Sequence, residues 1–390
     1  MKYGILFGGA LGALVALSVT GCDKITEMGE VQPEGFISLE EVATLLSGIP
    51  LGPEQMAEVR EATGTSAGNG YDEEYRMKDL FAAPGCGVGE EAATKADTYS
   101  RPLRDLLREA VFSGRTKALD RDPQAWLDSL AASDVQIYWP FSDSWDGETL
   151  PVVTYDPGDN AERNEGYFLR EDGTLEKLLV DEQTARERPV WVVNRNSDAD
   201  YKSLEMMRRE DPSWGSGGGE IFVTPTTKAA GDTRALVLRS FKAGRQYDSW
   251  LSGGSEFWIR CCSMKYSTVS TEAELRLYDP QVTDFMIVVR RKQVGEELTV
   301  NTILASEYLE ETEKISLMCV EDDGGTRTTW KAEATVKYNS KSYGVEVEFP
   351  LNTRDDIVWR GPLSGKFLER TIKEKDGIGL GDVEIWLDFI

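Results

Sequence analysis

Acidic residues in two turns near the end of the chain are the side chains best placed to do chemistry. Glu321, Asp322 and Asp323 follow one apolar run, and Asp355 and Asp356 precede another. In an up-and-down meander these turns would lie at the same end of the sheet, roughly 10 Å apart at about 4.8 Å per strand. Calcium prefers oxygen ligands. We therefore predict Asp322, Asp323, Asp355 and Asp356 as candidate calcium ligands.

An ordinary structural role competes with this prediction. Aspartate is common in turns because its side chain bonds nearby backbone N–H groups. The chain also contains no Asp-x-Asp-x-Asp loop of the kind that binds calcium. The sequence leaves both interpretations open, calcium ligands and ordinary turn residues. No other cofactor is expected.

A concentrated aromatic stretch offers a second candidate site. Tyr138-Trp139-Pro140-Phe141 is followed closely by Trp145. Indole rings stack on sugar faces and on peptides, so Trp139 and Trp145 are candidate ligand-binding residues. The competing interpretation is core packing beside a proline-bent edge strand.

The sequence has no histidine, and this absence excludes several kinds of catalysis. Ser-His-Asp and Cys-His nucleophiles need an imidazole, as do many zinc and iron sites. A Ser-x-x-Lys pair is also absent from the sequence. Paired carboxylates remain, as in glycosidases. The net charge of -25 would repel phosphate backbones, so we expect no nucleic-acid partner.

The first residues predict export and lipid anchoring. A basic Lys2 precedes an apolar run, residues 5–17, and Val19-Thr20-Gly21-Cys22 follows it. The apolar run is short for a membrane span. We expect residues 1–21 to be a lipoprotein signal peptide, Cys22 to carry the lipid, and residues 22–34 to be a tether. The alternatives are an uncleaved anchor and an ordinary secretory signal with a chance cysteine.

The remaining cysteines match no zinc or redox motif; they are Cys86, Cys261, Cys262 and Cys319. Cys261 and Cys262 are neighbours in an extended run and should point to opposite faces. A disulfide between Cys261 and Cys319 is one interpretation, and small buried apolar residues are the other.

Helical patterns dominate residues 35–132. Ser38 and Glu41 form a capping box before a helix that Gly48 ends. A second helix should start at Pro53 and end near Gly64. Two further helices are predicted by the apolar spacing of Leu103, Leu106, Leu107, Ala110 and Val111, and by Asp122-Pro123 before Trp126.

Strand patterns follow. Residues 133–228 predict a small β-rich segment with strands near Val135 and in residues 150–155 and 189–193. Residues 233–390 predict an antiparallel β-sandwich, in which residues 330–336 and 343–349 alternate around a turn at 339–342. The expected fold class is therefore α+β, mostly β.

Four stretches resemble uncharacterised envelope lipoproteins of Bacteroides-type bacteria: residues 68–75 (GNGYDEEY), 247–250 (YDSW), 253–257 (GGSEF) and 355–361 (DDIVWRG). The resemblance implies an outer-membrane address but no activity and no catalytic residues. Acidic residues directly after the lipid cysteine accompany surface export in such bacteria. Here Asp23 is followed by Lys24, so periplasmic and surface-facing positions both stay open.

These patterns together predict a lipid-anchored envelope protein that binds rather than catalyses. The expected partners are the membrane, through the lipid, and a protein or glycan that the sequence does not name. The alternative is a carboxylate-dependent, glycosidase-like hydrolase of the envelope.

Overall fold

A computed structural model describes the chain in nine ranges: 37–82, 99–113, 122–170, 172–196, 201–215, 234–264, 271–277, 280–323 and 325–390. The predicted signal peptide, Cys22, the tether and Cys86 lie outside these residues. So does the boundary predicted between residues 228 and 233. The predicted class, α+β and mostly β, is confirmed.

The N-terminal lobe, defined here as the described residues from 37 to 196, is built on a six-stranded sheet. The strand order is β1-β2-β6-β3-β4-β5, and only β3 and β6 are parallel neighbours among the described pairs. The strands are β1 (Glu74–Arg76), β2 (Val135–Tyr138), β3 (Val152–Tyr155), β4 (Arg163–Leu169), β5 (Leu175–Asp181) and β6 (Val190–Arg195).

Helices pack on this sheet. They are α1 (Leu39–Ser47), α2 (Pro53–Gly68), α3 (Met77–Leu80), α4 (Leu103–Phe112), α5 (Pro123–Ala131) and α6 (Glu182–Glu187). In α1 the Ser38 hydroxyl accepts a bond from Glu41 N at 3.4 Å, which is the N-cap half of the predicted capping box. Buried residues of α1, α2, α4 and α5 join Ile137, Trp139 and Trp191 in one cluster. The helical region (35–132) and part of the β-rich segment (133–228) therefore form one body.

The sandwich, defined here as the described residues from 234 to 390, follows a short helix α7 (Leu204–Glu210). Its first sheet has the order β10-β7-β16-β15. These strands are β7 (Arg234–Ala243), β10 (Leu298–Tyr308), β15 (Ile378–Leu380) and β16 (Val383–Phe389). The second sheet comprises β8 (Ser255–Met264), β9 (Pro280–Val289), β11 (Thr312–Glu321), β12 (Arg327–Tyr338), β13 (Lys341–Asn352) and β14 (Asp356–Ser364).

Buried apolar residues cover both faces of the second sheet and form two separate cores. Between the sheets, Phe241 and Ile385 meet Phe257 and Leu317. On the other face, the β12–β13 hairpin packs its apolar side over β8 and β11; the buried residues there include Cys262, Met318, Val320, Ala332, Ala334, Val336 and Phe349. The predicted opposite orientation of Cys261 and Cys262 is confirmed, because each belongs to a different core.

The predicted hairpin is confirmed, with a tighter turn. Trp330 lies opposite Phe349, and Tyr338 lies opposite Lys341. Asn339 and Ser340 form the turn with φ of 48° and 65°. Left-handed values at both central residues are typical of a two-residue hairpin turn. The turn is therefore two residues shorter than predicted, and residues 341 and 342 belong to β13.

Two features of the sandwich differ from the sequence prediction. The strands are not a simple meander, because β14 pairs directly with β11 from Lys314↔Ser364 to Glu321↔Asp356. In addition, residues 365–374 form α9 (Gly365–Glu374), although the region was expected to be nearly all strand. Ser364 caps α9 by accepting a bond from Phe367 N at 3.3 Å. A shorter helix, α8 (Glu272–Leu275), also interrupts the strands.

The described residues from Ile37 to Ile390 make one compact unit. Within that part of the chain, no helix has the length and apolar character needed to cross a membrane.

Candidate functional site

The site centres on Glu321, the last residue of β11. Residues 317, 319 and 321 share the face of β11 that points between the two sheets, because strand side chains alternate. Glu321 thus occupies a position that the strand pattern gives to a core residue, and it is 0% exposed. Neither of its carboxylate oxygens meets a donor group among the described residues, and the side chain that it contacts is another carboxyl, that of Asp248.

Two further carboxylates converge on Glu321. Oxygen atoms of Asp248, Glu256 and Glu321 all lie within 4.8 Å of one another. Asp248 lies in the loop between β7 and β8, and Glu256 is the second residue of β8, 8% exposed. We call these three residues the inner carboxylates. Oxygen ligands this close together can bind a hard cation such as calcium.

Backbone contacts position the inner carboxylates. The Asp248 N–H donates to Ser255 Oγ at 3.4 Å, and the Asp248 carbonyl accepts a bond from Arg291 Nη2 at 2.5 Å. The Glu256 carbonyl accepts a bond from Asp322 N at 3.1 Å. These hydrogen bonds connect the β7–β8 loop with β8 and the end of β11, so the three carboxylates are held close together.

The electrostatics of the cluster are unfavourable when all of its carboxylates are ionised. Burial raises the pKa of Glu321 far above its usual range, and the neighbouring Asp248 raises it further. Burial likewise raises the pKa of Asp248. Burial and the charges of Asp248 and Asp356 raise the pKa of Asp323 to about 6. A proton or a cation among these groups would relieve the repulsion.

Among the described residues, Arg291 places a positive charge beside Asp248. Arg291 lowers the pKa of Asp248, which only partly offsets the effect of burial. Its guanidinium donates to two backbone carbonyls, from Nε to Gly253 at 2.9 Å and from Nη2 to Asp248. Arg291 therefore holds the loop in place more than it neutralises the carboxylates.

The four aspartates predicted as calcium ligands lie at this same end of the sheet. Glu321 pairs with Asp356 across β11 and β14. The Asp323 N–H donates to Asp355 Oδ1 at 3.3 Å. The two acidic turns are closer than the predicted 10 Å, because β14 lies directly beside β11. We call Asp322, Asp323, Asp355 and Asp356 the rim aspartates.

Two of the rim aspartates have structural contacts. Asp322 accepts bonds from Trp258 Nε1 at 3.0 Å and from Asn352 Nδ2 at 3.3 Å. Asp355 accepts a bond from Asn352 N at 2.7 Å, and burial raises its pKa. These contacts fit the turn interpretation of the sequence, so the inner carboxylates are the better candidate ligands.

Sequence reasoning missed Asp248 and Glu256, and it placed Glu321 in a turn. One signal for Glu321 was present, since it continues the alternation of Leu317 and Cys319 on a buried face. Asp248 and Glu256 lie in two of the stretches that carry the resemblance, residues 247–250 and 253–257, but that resemblance assigned them no role, and their partners lie in other strands.

The structure brings the two predicted aromatic residues together. Trp139 is 1% exposed and packs edge-on against Trp145 and Trp191, each with ring centroids 6.0 Å away. It is a core residue, and it also lines the same cavity as Trp145, so ligand binding at these two residues stays a prediction. Trp145 is half-buried, lines a cavity of about 110 Å³ with Arg186 and Arg188, and donates to the Thr149 carbonyl at 2.9 Å.

The three cysteines within the described ranges are free thiols and buried. Cys319 lies opposite Ile259, and Cys261 lies opposite Leu317, so the two thiols are offset across β8 and β11. The interpretation of these cysteines as small apolar core residues fits this arrangement.

Comparisons with protein-family models, curated proteins and solved structures find no match to this chain.

Proposed function

We propose that this protein is a lipid-anchored binding protein of the cell envelope, attached through Cys22 and residing at the outer membrane. The signal-like residues 1–21 and the small residues before Cys22 support the anchor. Residues 22–34, the expected tether, would link the lipid to a body whose first helix begins at Leu39. The acidic body would be repelled by anionic lipid, so the acyl chains would carry the membrane attachment.

Burial of Glu321 is the observation that carries the binding role. A catalytic acid or base must reach the proton it transfers, directly or through one water. Glu321 is 0% exposed, and the cavities at Trp145 and at Tyr75 are lined by other residues. The strongest concentration of perturbed carboxylates is thus poorly placed to meet a bulky substrate. Loops at one end of a sandwich suit recognition of a protein or glycan.

A carboxylate-dependent hydrolase is the second candidate function, and one observation favours it. Carboxylates with raised pKa converge at a single site, which is a common property of catalytic centres. The exposed Asp323 would be the group that reaches a substrate.

Metabolic labelling with palmitate tests the anchor. The full-length chain should incorporate label, and Cys22→Ser should not. Cys86→Ser is the matched control and should be labelled as strongly as the wild type. Equal labelling of the wild type and Cys22→Ser would contradict the anchor.

Assays of the purified chain on glycan, peptide and ester substrates test the binding role against catalysis. We expect no turnover. Hydrolysis that Asp323→Asn abolishes, with an unchanged circular dichroism spectrum, would establish the hydrolase instead.

A further inference from the structure

We propose that Asp248, Glu256 and Glu321 form a divalent-cation site that binds calcium. This inference is independent of the lipid anchor and of the partner. It also differs from the prediction made from sequence, because the ligands are the inner carboxylates rather than the rim aspartates.

The spacing of the inner carboxylates suits one ion. Calcium binds six to eight oxygens at about 2.3–2.6 Å, so two oxygens on opposite sides of an ion lie about 5 Å apart. The oxygens of Asp248, Glu256 and Glu321 are within 4.8 Å of one another. All three can therefore reach a common centre with small side-chain adjustments.

The surroundings of the buried Glu321 carboxylate support the site independently of the spacing. A buried carboxylate normally has hydrogen-bond donors, and an unpaired one is strongly unfavourable. Glu321 is fully buried, and within the described part of the chain neither of its oxygens has a donor. Asp248 Oδ2 is also buried without a donor there. These two carboxyl groups contact each other, and a cation between them would supply the positive charge that otherwise only a shared proton could provide.

The chemistry of the ligands selects calcium over other metals. The chain has no histidine, and Cys261 and Cys319, the nearest thiols in sequence on β8 and β11, are placed in the apolar core. An all-carboxylate site disfavours zinc and copper, which prefer nitrogen or sulfur. Magnesium demands near-ideal octahedral geometry and retains several waters, whereas Glu321 lies in a fully buried position. Calcium tolerates irregular ligands from separate elements.

Calorimetric titration of the purified full-length chain in detergent, after treatment with chelator, tests the site. Calcium should bind saturably with one ion per chain, and magnesium should bind much more weakly. Glu321→Gln and Asp248→Asn should each lower calcium affinity at least tenfold. Asp172→Asn, in an exposed turn, is the matched control and should bind as the wild type does.

Terbium luminescence gives a readout that needs no variant. Trp258 donates its indole N–H to Asp322, the residue next to Glu321, so excitation of Trp258 should sensitise a lanthanide bound at the inner carboxylates. Calcium should then quench the emission by displacement.

Three results would overturn the proposal. The first is the absence of saturable calcium binding and of sensitised emission in the wild type. The second is unchanged calcium affinity in folded Glu321→Gln or Asp248→Asn. The third is complete loss of binding in the rim variant Asp322→Asn/Asp356→Asn with full retention in Glu321→Gln, which would assign the ion to the rim aspartates.

Discussion

The carboxylate of Asp72 accepts a hydrogen bond from the backbone N–H of Gly254, with an N···O distance of 2.7 Å. These residues are 182 positions apart, so the bond fastens the N-terminal lobe to the sandwich. The other Asp72 oxygen accepts a bond from Glu73 N at 2.8 Å. Asp72 is buried, so its carboxylate makes this contact away from solvent.

Replacing Gly254 with alanine should displace the backbone that donates to Asp72, because Gly254 lies tightly against residues 289 and 290. The added Cβ would lie 2.8 Å from the Val289 carbonyl oxygen and 3.1 Å from Arg290 Cα, both backbone atoms with little freedom to move. We expect a loss of about 1–3 kcal/mol in the free energy of unfolding. Urea denaturation measures the loss. In the control Gly379→Ala, whose Cβ meets nothing within 4 Å, the change should stay within about 0.5 kcal/mol. Equal effects of the two variants would contradict this account of the contact.

Lys292 provides another link between the lobes. Its removal should lower the free energy of unfolding, because Glu73 would lose its ion-pair partner. Its Nζ lies 2.9 Å from Glu73 Oε1 and 2.9 Å from Asp143 Oδ2. The Glu73 side chain is 3% exposed, so Lys292→Met leaves a buried carboxylate unpaired. We expect a loss of about 2–4 kcal/mol, below the value for fully buried pairs because Lys292 itself is 37% exposed.

A double-mutant cycle with Glu73→Gln isolates this charge effect. Adding Glu73→Gln to Lys292→Met should restore part of the lost stability, because the unpaired charge is then removed. If the loss of unfolding free energy in the double variant equals the sum of the losses in the two single variants, Lys292 acts through packing alone.

The cysteines should behave as buried thiols rather than as a disulfide. Burial raises the pKa of Cys261 and of Cys319, which suppresses the reactive thiolate. We expect a thiol reagent to leave Cys261, Cys262 and Cys319 unmodified in the native protein and to modify all three after denaturation. Peptide mapping separates them from Cys22 and Cys86. A cross-linked peptide joining Cys261 and Cys319 in a non-reduced digest would contradict the prediction.

Local patterns predicted the regular elements well. The capping residues of α1 and the alternation in β12 and β13 were correct because each depends on neighbours within a few positions. Helix α9 was missed, although Leu368 and Thr371 are buried at helical spacing, because β-type runs precede and follow it. The strand order could not be predicted, since the pairing of β14 with β11 depends on how the β12–β13 hairpin folds over the sheet.

The site was predicted only in part for the same reason. The rim aspartates were found because they adjoin recognisable turns, and their position at one end of the sheet follows from antiparallel topology. Asp248 and Glu256 meet Glu321 only through packing of distant segments. The burial of Trp139 likewise depends on Trp191, which lies in a different strand.

The buried Glu58 should give the N-terminal lobe a measurable pH dependence. Glu58 Oε2 accepts a bond from Leu103 N at 2.7 Å at the start of α4, and Oε1 accepts a bond from Tyr75 Oη at 3.4 Å. Burial is the largest influence on this carboxyl, and it raises the pKa to about 7 from 4.5. The folded state therefore binds the Glu58 proton more tightly than the unfolded state does.

The sign of the effect follows from linkage. The stabilisation due to Glu58 is fully present below pH 4.5 and is lost as pH rises to about 7, a change on the order of 3 kcal/mol. Glu58→Gln keeps an acceptor for Leu103 N but does not titrate, so its urea midpoint should fall less between pH 5 and pH 7.5 than that of the wild type. Glu109→Gln, an exposed carboxylate on α4, should follow the wild-type profile. If Glu58→Gln and the wild type show the same slope, burial of Glu58 does not govern stability in this range, and other buried carboxyls such as Asp72 must account for it.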